Sequence, residues 1–135
     1  MSLDIDFSYE KLIFAPPAPA INVELRSPAF PLNHYAERIL ALIDTGADGT
    51  VIPWSSIERL NLQQVDQAEV KGYDQKDFSL LPVFSVHLTI PGLDSLIVRV
   101  VPKESDDYAI IGRDVINKWL LKLNGPALSG SIGIQ

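Results

Sequence analysis

Leu40-Ala41-Leu42-Ile43-Asp44-Thr45-Gly46-Ala47-Asp48-Gly49-Thr50-Val51-Ile52 is the stretch on which the fold turns. The apolar run from Ile39 to Ile43 reads as a strand buried on both faces. It ends on a carboxylate. Taking an ionised carboxyl out of water is costly unless hydrogen bonds or a shared proton compensate. Gly46 lets backbone approach Asp44 and offers it an N–H, and Thr45 brings a hydroxyl able to bond across to a neighbour. Thr50-Val51-Ile52 then resumes extended chain.

Other readings of these residues compete. Asp and Gly also suit a plain turn after a strand. An EF-hand loop is excluded, because Gly46 stands at its third position, Ser55 stands where the twelfth needs Glu, and a strand leads in. Asp-Thr-Gly also echoes the phosphate loops of large ATPases, which need two substantial lobes that 135 residues cannot build.

Outward from this loop the segments are short and punctuated by proline and glycine. Ala15-Pro16-Pro17-Ala18-Pro19-Ala20 is an extended lead-in. Residues 21–26 alternate strictly as a half-buried strand, with Ile21, Val23 and Leu25 on one face. Residues 53–60 suit one or two helical turns with Pro53 near the start. Residues 68–73 and 78–90 read as two strands joined by Asp74-Gln75-Lys76-Asp77, and 96–101 and 108–111 as two more. Ile116, Trp119, Leu120 and Leu123 then share one face of a helix, stopped by Gly125-Pro126. Residues 128–134 make a last light strand. The expected class is mainly β with one helix near the C-terminus.

Composition narrows the chemistry. The length suits one domain, and 47% hydrophobic against 21% charged residues is a globular balance. A net charge of −6 argues against a phosphate-binding face for nucleic acid. Without cysteine there is no thiol nucleophile, thiolate zinc site or disulfide, and His34 and His87 are too few for a histidine-rich metal centre. No metal or cofactor is expected. No apolar run reaches the length of a membrane span, and the acidic start lacks the pattern of a signal peptide. A cytoplasmic location without membrane association is the expectation.

The stretch from Leu40 to Ile52 resembles the signature of retropepsin-like aspartic proteases, the single-domain relatives of pepsin. Their second signature is two aliphatics, Gly, Arg, an acid or amide, and a short helix; Ile110-Ile111-Gly112-Arg113-Asp114-Val115-Ile116 is similar to it. Gly112 follows Asp44 by 68 residues, a separation that suits the family. The resemblance spans residues 21–135 and leaves 1–20 as an N-terminal extension. It implies a closed or partly open acid-protease β-barrel, a homodimer across the active site, and peptide or protein substrates.

The implied chemistry is hydrolysis by a water held between two carboxylates that share one proton. One chain has one Asp-Thr-Gly, so the second Asp44 comes from an identical chain about a two-fold axis. The resemblance gives Thr45 a bracing role across that axis, and Gly46 and Asp48 a hold on substrate main chain. Ala47 lacks the hydroxyl that lowers the carboxylate pKa in many pepsin-like enzymes, which implies an optimum at about pH 5–6 instead of 2–3. Asp48 and Arg113 are expected as a buried ion pair, Gly112 and Asp114 as structural support, and Asp114 as the helix N-cap. A hairpin over 70–81 is the expected flap, with Gly72 and Tyr73 as substrate contacts. Residues 128–134 are a candidate dimer strand, or else an ordinary edge strand. A non-catalytic dimer binding peptides or ubiquitin-like partners, and an unrelated small β-protein, remain as alternatives.

Overall fold

A computed structural model of the chain describes residues 3–29, 35–71 and 78–134. The strands are β1 (Leu3–Ser8), β2 (Ala20–Arg26), β3 (Glu37–Ile43), β4 (Val51–Pro53), β5 (Gln64–Lys71), β6 (Phe78–Ile90), β7 (Asp94–Lys103), β8 (Ala109–Ile111), β9 (Leu120–Asn124) and β10 (Ser129–Ile134). Two short helices, α1 (Trp54–Arg59) and α2 (Arg113–Ile116), interrupt them.

Six strands close a barrel in the order β2-β3-β8-β4-β7-β6, because β6 pairs back onto β2 through Glu24↔Thr89, Leu25↔Leu88 and Arg26↔His87. Closure leaves these strands no open edge. The period-2 alternation of β2 and β6 has a direct physical outcome. Val23, Leu25, Val86 and Leu88 point inward and are at most 1% exposed. Burial of each such side chain contributes roughly 1.5–3 kcal/mol. Trp54 packs edge-on against Phe84 at 5.8 Å and joins the same core. β5 pairs with β6 and carries the hairpin arm outward, with register from Gln64↔Phe84 to Lys71↔Phe78.

Three expectations change. β3 is buried on one face only: Ala41 and Ile43 are buried, whereas Leu40 and Leu42 are half-buried. The C-terminal helix is much shorter than its periodicity suggested. α2 ends at Ile116, and Leu120 to Asn124 form β9, with Leu120 52% and Leu123 47% exposed. The same residues also alternate as Trp119 and Leu121 against Leu120 and Lys122. The ladder offered by β10 favours that period, with Leu121↔Ile132 and Leu123↔Gly130 in register.

The third change concerns the chain ends. β10 is neither a free edge nor an available interleaving strand. It is the centre of a three-stranded sheet, β1-β10-β9, with both of its sides paired within the chain. Gly130 makes this close fit possible, since a Cβ there would lie 2.5 Å from the Phe7 ring. Residues 1–20 were expected to lie outside the domain, yet they supply β1, whose Ile5 and Phe7 pack against the core.

Candidate active site

β3 runs into the site through its parallel pairing with β8, with Leu42↔Ile110 and Ile43↔Ile111 in register. The ladder continues one residue further, as Asp44 N–H donates to the Ile111 carbonyl at 3.0 Å. β4, which follows the Asp-Thr-Gly loop, pairs with β8 on its other side at Val51↔Ile110. The second sequence motif therefore lies between the two strands that bracket the first. Sheet topology, acting over a long sequence separation, brings the two motifs together.

The loop closes on Asp44 itself. Gly46 N–H donates to Asp44 Oδ1 at 2.9 Å, and Ala47 N–H donates to the Asp44 carbonyl at 3.1 Å. The carboxyl is half-buried at the loop mouth, and Thr45 and Gly46 beside it are exposed. An anchored yet accessible carboxylate can reach a water or a second carboxyl. Ala47 presents only a methyl group to this site.

Behind the loop, Gly112 lies against Gly49 so closely that a Cβ at 112 would meet the Gly49 carbonyl oxygen at 2.5 Å. Thr50 clamps the junction. It is 1% exposed, its hydroxyl donates to Asp114 Oδ1 at 2.8 Å, and its N–H donates to Asp114 Oδ2 at 3.2 Å. The same hydroxyl oxygen accepts from Gly112 N–H at 3.3 Å. The helix N-cap is Gly112, with no side-chain cap bond, so Asp114 is not the cap. It sits in the first turn, where a carboxylate suits the helix N-terminus, and spends its bonds on Thr50 and Val115 N–H. Sequence reading passed over Thr50. Its one signal was a hydroxyl directly before the apolar strand β4.

Arg113 also differs in environment from its expectation. Its guanidinium pairs with Asp48 and donates to the Thr45 carbonyl at 3.0 Å, and its N–H donates to the Ala47 carbonyl at 2.9 Å. In the single chain the pair is exposed, with side chains 43% and 94% accessible for Arg113 and Asp48. It is therefore a surface pair, worth about 0.2–1 kcal/mol. The larger cost of a stranded buried charge does not apply to it. Gly72 and Tyr73 lie outside the described residues. Among the described residues no group of three or more His, Asp or Glu is placed to hold a metal ion. No helix among them is long and apolar enough to cross a membrane.

A cavity of about 730 Å³ opens beside the loop, between residues 47–51, β5 and β7. Its wall includes the exposed ion pair of Arg99 with Asp66 at 3.4 Å.

Solved structures share this architecture. A retropepsin-like aspartic protease from Rickettsia conorii aligns with a TM-score of 0.67 at 10% identity, over 99% of this chain and 93% of that one. EIAV protease complexed with an inhibitor aligns at 0.52 and 18% identity, over 80% and 90%. The foamy viral protease-reverse transcriptase aligns at 0.51 and 18% identity, over 72% of this chain and 11% of that one. No curated protein sequence matches. The closed barrel that holds the Asp-Thr-Gly loop against the Ile-Gly-Arg segment has the retropepsin-like fold of these structures. The chain belongs to the retroviral aspartyl protease family, whose sequence pattern covers residues 16–124.

Proposed function

We propose that this chain is an aspartic endopeptidase, active as a homodimer in which each subunit supplies one Asp44. The observation that carries the reading is the Asp44 carboxyl, bonded to Gly46 N–H and held half-buried at an open loop mouth. One such loop per chain is half of a dyad.

In the working pair, one carboxyl is ionised and the other protonated, because like charges about 3 Å apart do not both ionise readily. The ionised Asp44 takes a proton from a water, and the oxygen of that water attacks the scissile carbonyl carbon. The protonated Asp44 gives its proton to the carbonyl oxygen, so a neutral tetrahedral diol forms. The diol collapses when the first Asp44 returns its proton to the amide nitrogen and the C–N bond breaks. A hydroxyl proton of the diol passes back to the second Asp44, which restores the dyad. The protons balance without a cofactor, and the titration belongs to the pair. Thr45 braces the two loops across the axis, Gly46 and Asp48 hold substrate main chain, and Gly72 and Tyr73, outside the described residues, are further substrate contacts. Asp48, Gly112, Arg113 and Asp114 support the loop. The enzyme works in the cytoplasm.

The test is a mixed peptide library incubated at about pH 4–7, with and without pepstatin, beside Asp44→Ala. Cleavage that is lost in the variant and blocked by the inhibitor is expected. A folded dimer without Asp44-dependent cleavage overturns the enzyme and leaves a peptide-binding module of the same fold.

A further inference from the structure

Three strands of the described chain pair on one side only: β1, β5 and β9. Each leaves a row of backbone N–H and C=O groups open to another strand. Two of the three are guarded. β5 carries Asp66 and Glu69 and a register shift between Gln64 and Asp66. β1 alternates Asp4 and Asp6 with its apolar residues. Two β1 edges joined about a two-fold axis would set Asp4 against Asp6, or Asp6 against itself, in the registers of longest overlap, and like charges directly opposite are unfavourable. β9 has no such guard. It reads Leu120-Leu121-Lys122-Leu123-Asn124, with Leu120 and Leu123 both exposed. It also lies close behind the Asp44 loop. α2 ends at Ile116 and β9 begins at Leu120, and α2 starts at Arg113, which holds the Thr45 carbonyl and Asp48.

We propose that the homodimer forms by antiparallel pairing of the β9 edges of two copies, centred on Leu121, which doubles the three-stranded sheet without any exchange of strands. The inference rests on the two-copy reading of the site and names the surface that makes it. Two copies joined at β9 are joined through the segment that braces each loop. In such a joint a two-fold axis perpendicular to the sheet sets one residue of β9 opposite its own copy, so that each face continues into the same face. Centred on Lys122, it opposes two cations. Centred on Leu121, it opposes Leu121 to Leu121, Lys122 to Leu120, and Leu123 to Trp119. That register removes the charge conflict and lays the lysine stem along a leucine. It also extends the apolar underside on which Leu121 and Trp119 already pack against the core. Pairing β9 with the β1 of another copy would leave an open edge at each end and propagate instead of closing.

The experiment is sedimentation velocity of the full-length protein over a dilution series, with Asp44-dependent peptide cleavage read on the same samples. Wild type should sediment as a dimer. Leu123→Lys sets a cation against Trp119 of the partner subunit, so its dimer should dissociate at concentrations at least about tenfold higher. Its circular dichroism should match wild type, since Leu123 is exposed in the single chain. Its cleavage should return as its concentration is raised. Leu3→Lys, on the β1 edge, should change neither sedimentation nor cleavage. The chain has no cysteine, so oxidation reads the register. An equal mixture of Leu120→Cys and Lys122→Cys should cross-link, and Lys122→Cys alone should not. A dimer that Leu123→Lys leaves intact, or one cross-linked through Lys122→Cys alone, overturns the inference and spares the peptidase reading. A wild type that stays monomeric overturns the inference and the two-copy reading together. Absence of Asp44-dependent cleavage overturns the peptidase reading alone, because sedimentation and cross-linking still report the edge.

Discussion

Asp44 owes its position to three hydrogen bonds with backbone groups and its accessibility to the exposed residues that follow it. Replacing it by Asn keeps those contacts and removes the acid-base function. Asp44→Asn should lower kcat about a thousandfold or more while circular dichroism and sedimentation stay unchanged. Under the proposed mechanism, the methyl group of Ala47 leaves the dyad without a side-chain hydroxyl donor at that position. A hydroxyl bonded to the ionised carboxyl favours the charged form, so Ala47→Ser should move the acid limb of the kcat profile to lower pH. An unmoved limb would mean the added hydroxyl does not reach the dyad. Thr50 is the structural residue with most at stake. Thr50→Val leaves Asp114 without its hydroxyl donor and the Gly112 N–H without its acceptor. A loss of about 1–3 kcal/mol is expected in urea melts at fixed protein concentration. At this scale the sequence revealed residue types better than environments. Asp48 and Arg113 were legible as a pair because both belong to motifs. Their exposure was not, because burial depends on what surrounds them in space. Thr50 and Asp114 bond across 64 residues, a distance at which local pattern carries no signal.

Among the elements, strict alternation in β2 was readable because one of its faces meets the core. The segment after α2 was misread because it satisfies two periods, and only the presence of β10 decides between them. That gives a direct check. Leu121 packs against the core while Leu120 is 52% exposed. Leu121→Ala should cost about 1–2 kcal/mol and Leu120→Ala no more than about 0.5, whereas the helix reading favours the larger loss at Leu120. The connection from β7 to β8 carries its own charge device. The Ser105 hydroxyl first, and Lys103 next, hold the Asp107 carboxyl below its ordinary value of 3.8. A depressed folded value stabilises above the unfolded value and is lost as pH falls through the folded one. This turn should therefore keep its bonds at acidities where ordinary aspartates protonate. Ser105→Ala should raise the Asp107 midpoint toward 3.8 in an NMR titration. Asp107 is exposed, so little change in global stability is expected.

For the whole molecule, both the barrel and its family followed from two motifs in the right order. How the chain ends are used did not, since β1 lay outside the matched signatures. A peptidase with half a site per chain has a stoichiometric signature. At fixed total protein, an equal mixture of wild type and Asp44→Asn should have about a quarter of the activity of wild type alone once subunits exchange, because one pairing in four has both carboxyls. A residue of one half would mean that each chain works alone.

The pairing of β1 with β10 also orders events in time. Residues 3–8 are made more than a hundred residues before their partners at 129–134. Throughout that interval Ile5 and Phe7 have no ladder to join, and contacts this remote in sequence form slowly. The Asp44 loop is synthesised well before the sheet that unites the two ends. A nascent chain thus carries Asp44 without the completed fold until β10 is made, so a peptidase that works as proposed, from two folded copies, stays silent until that strand is in place.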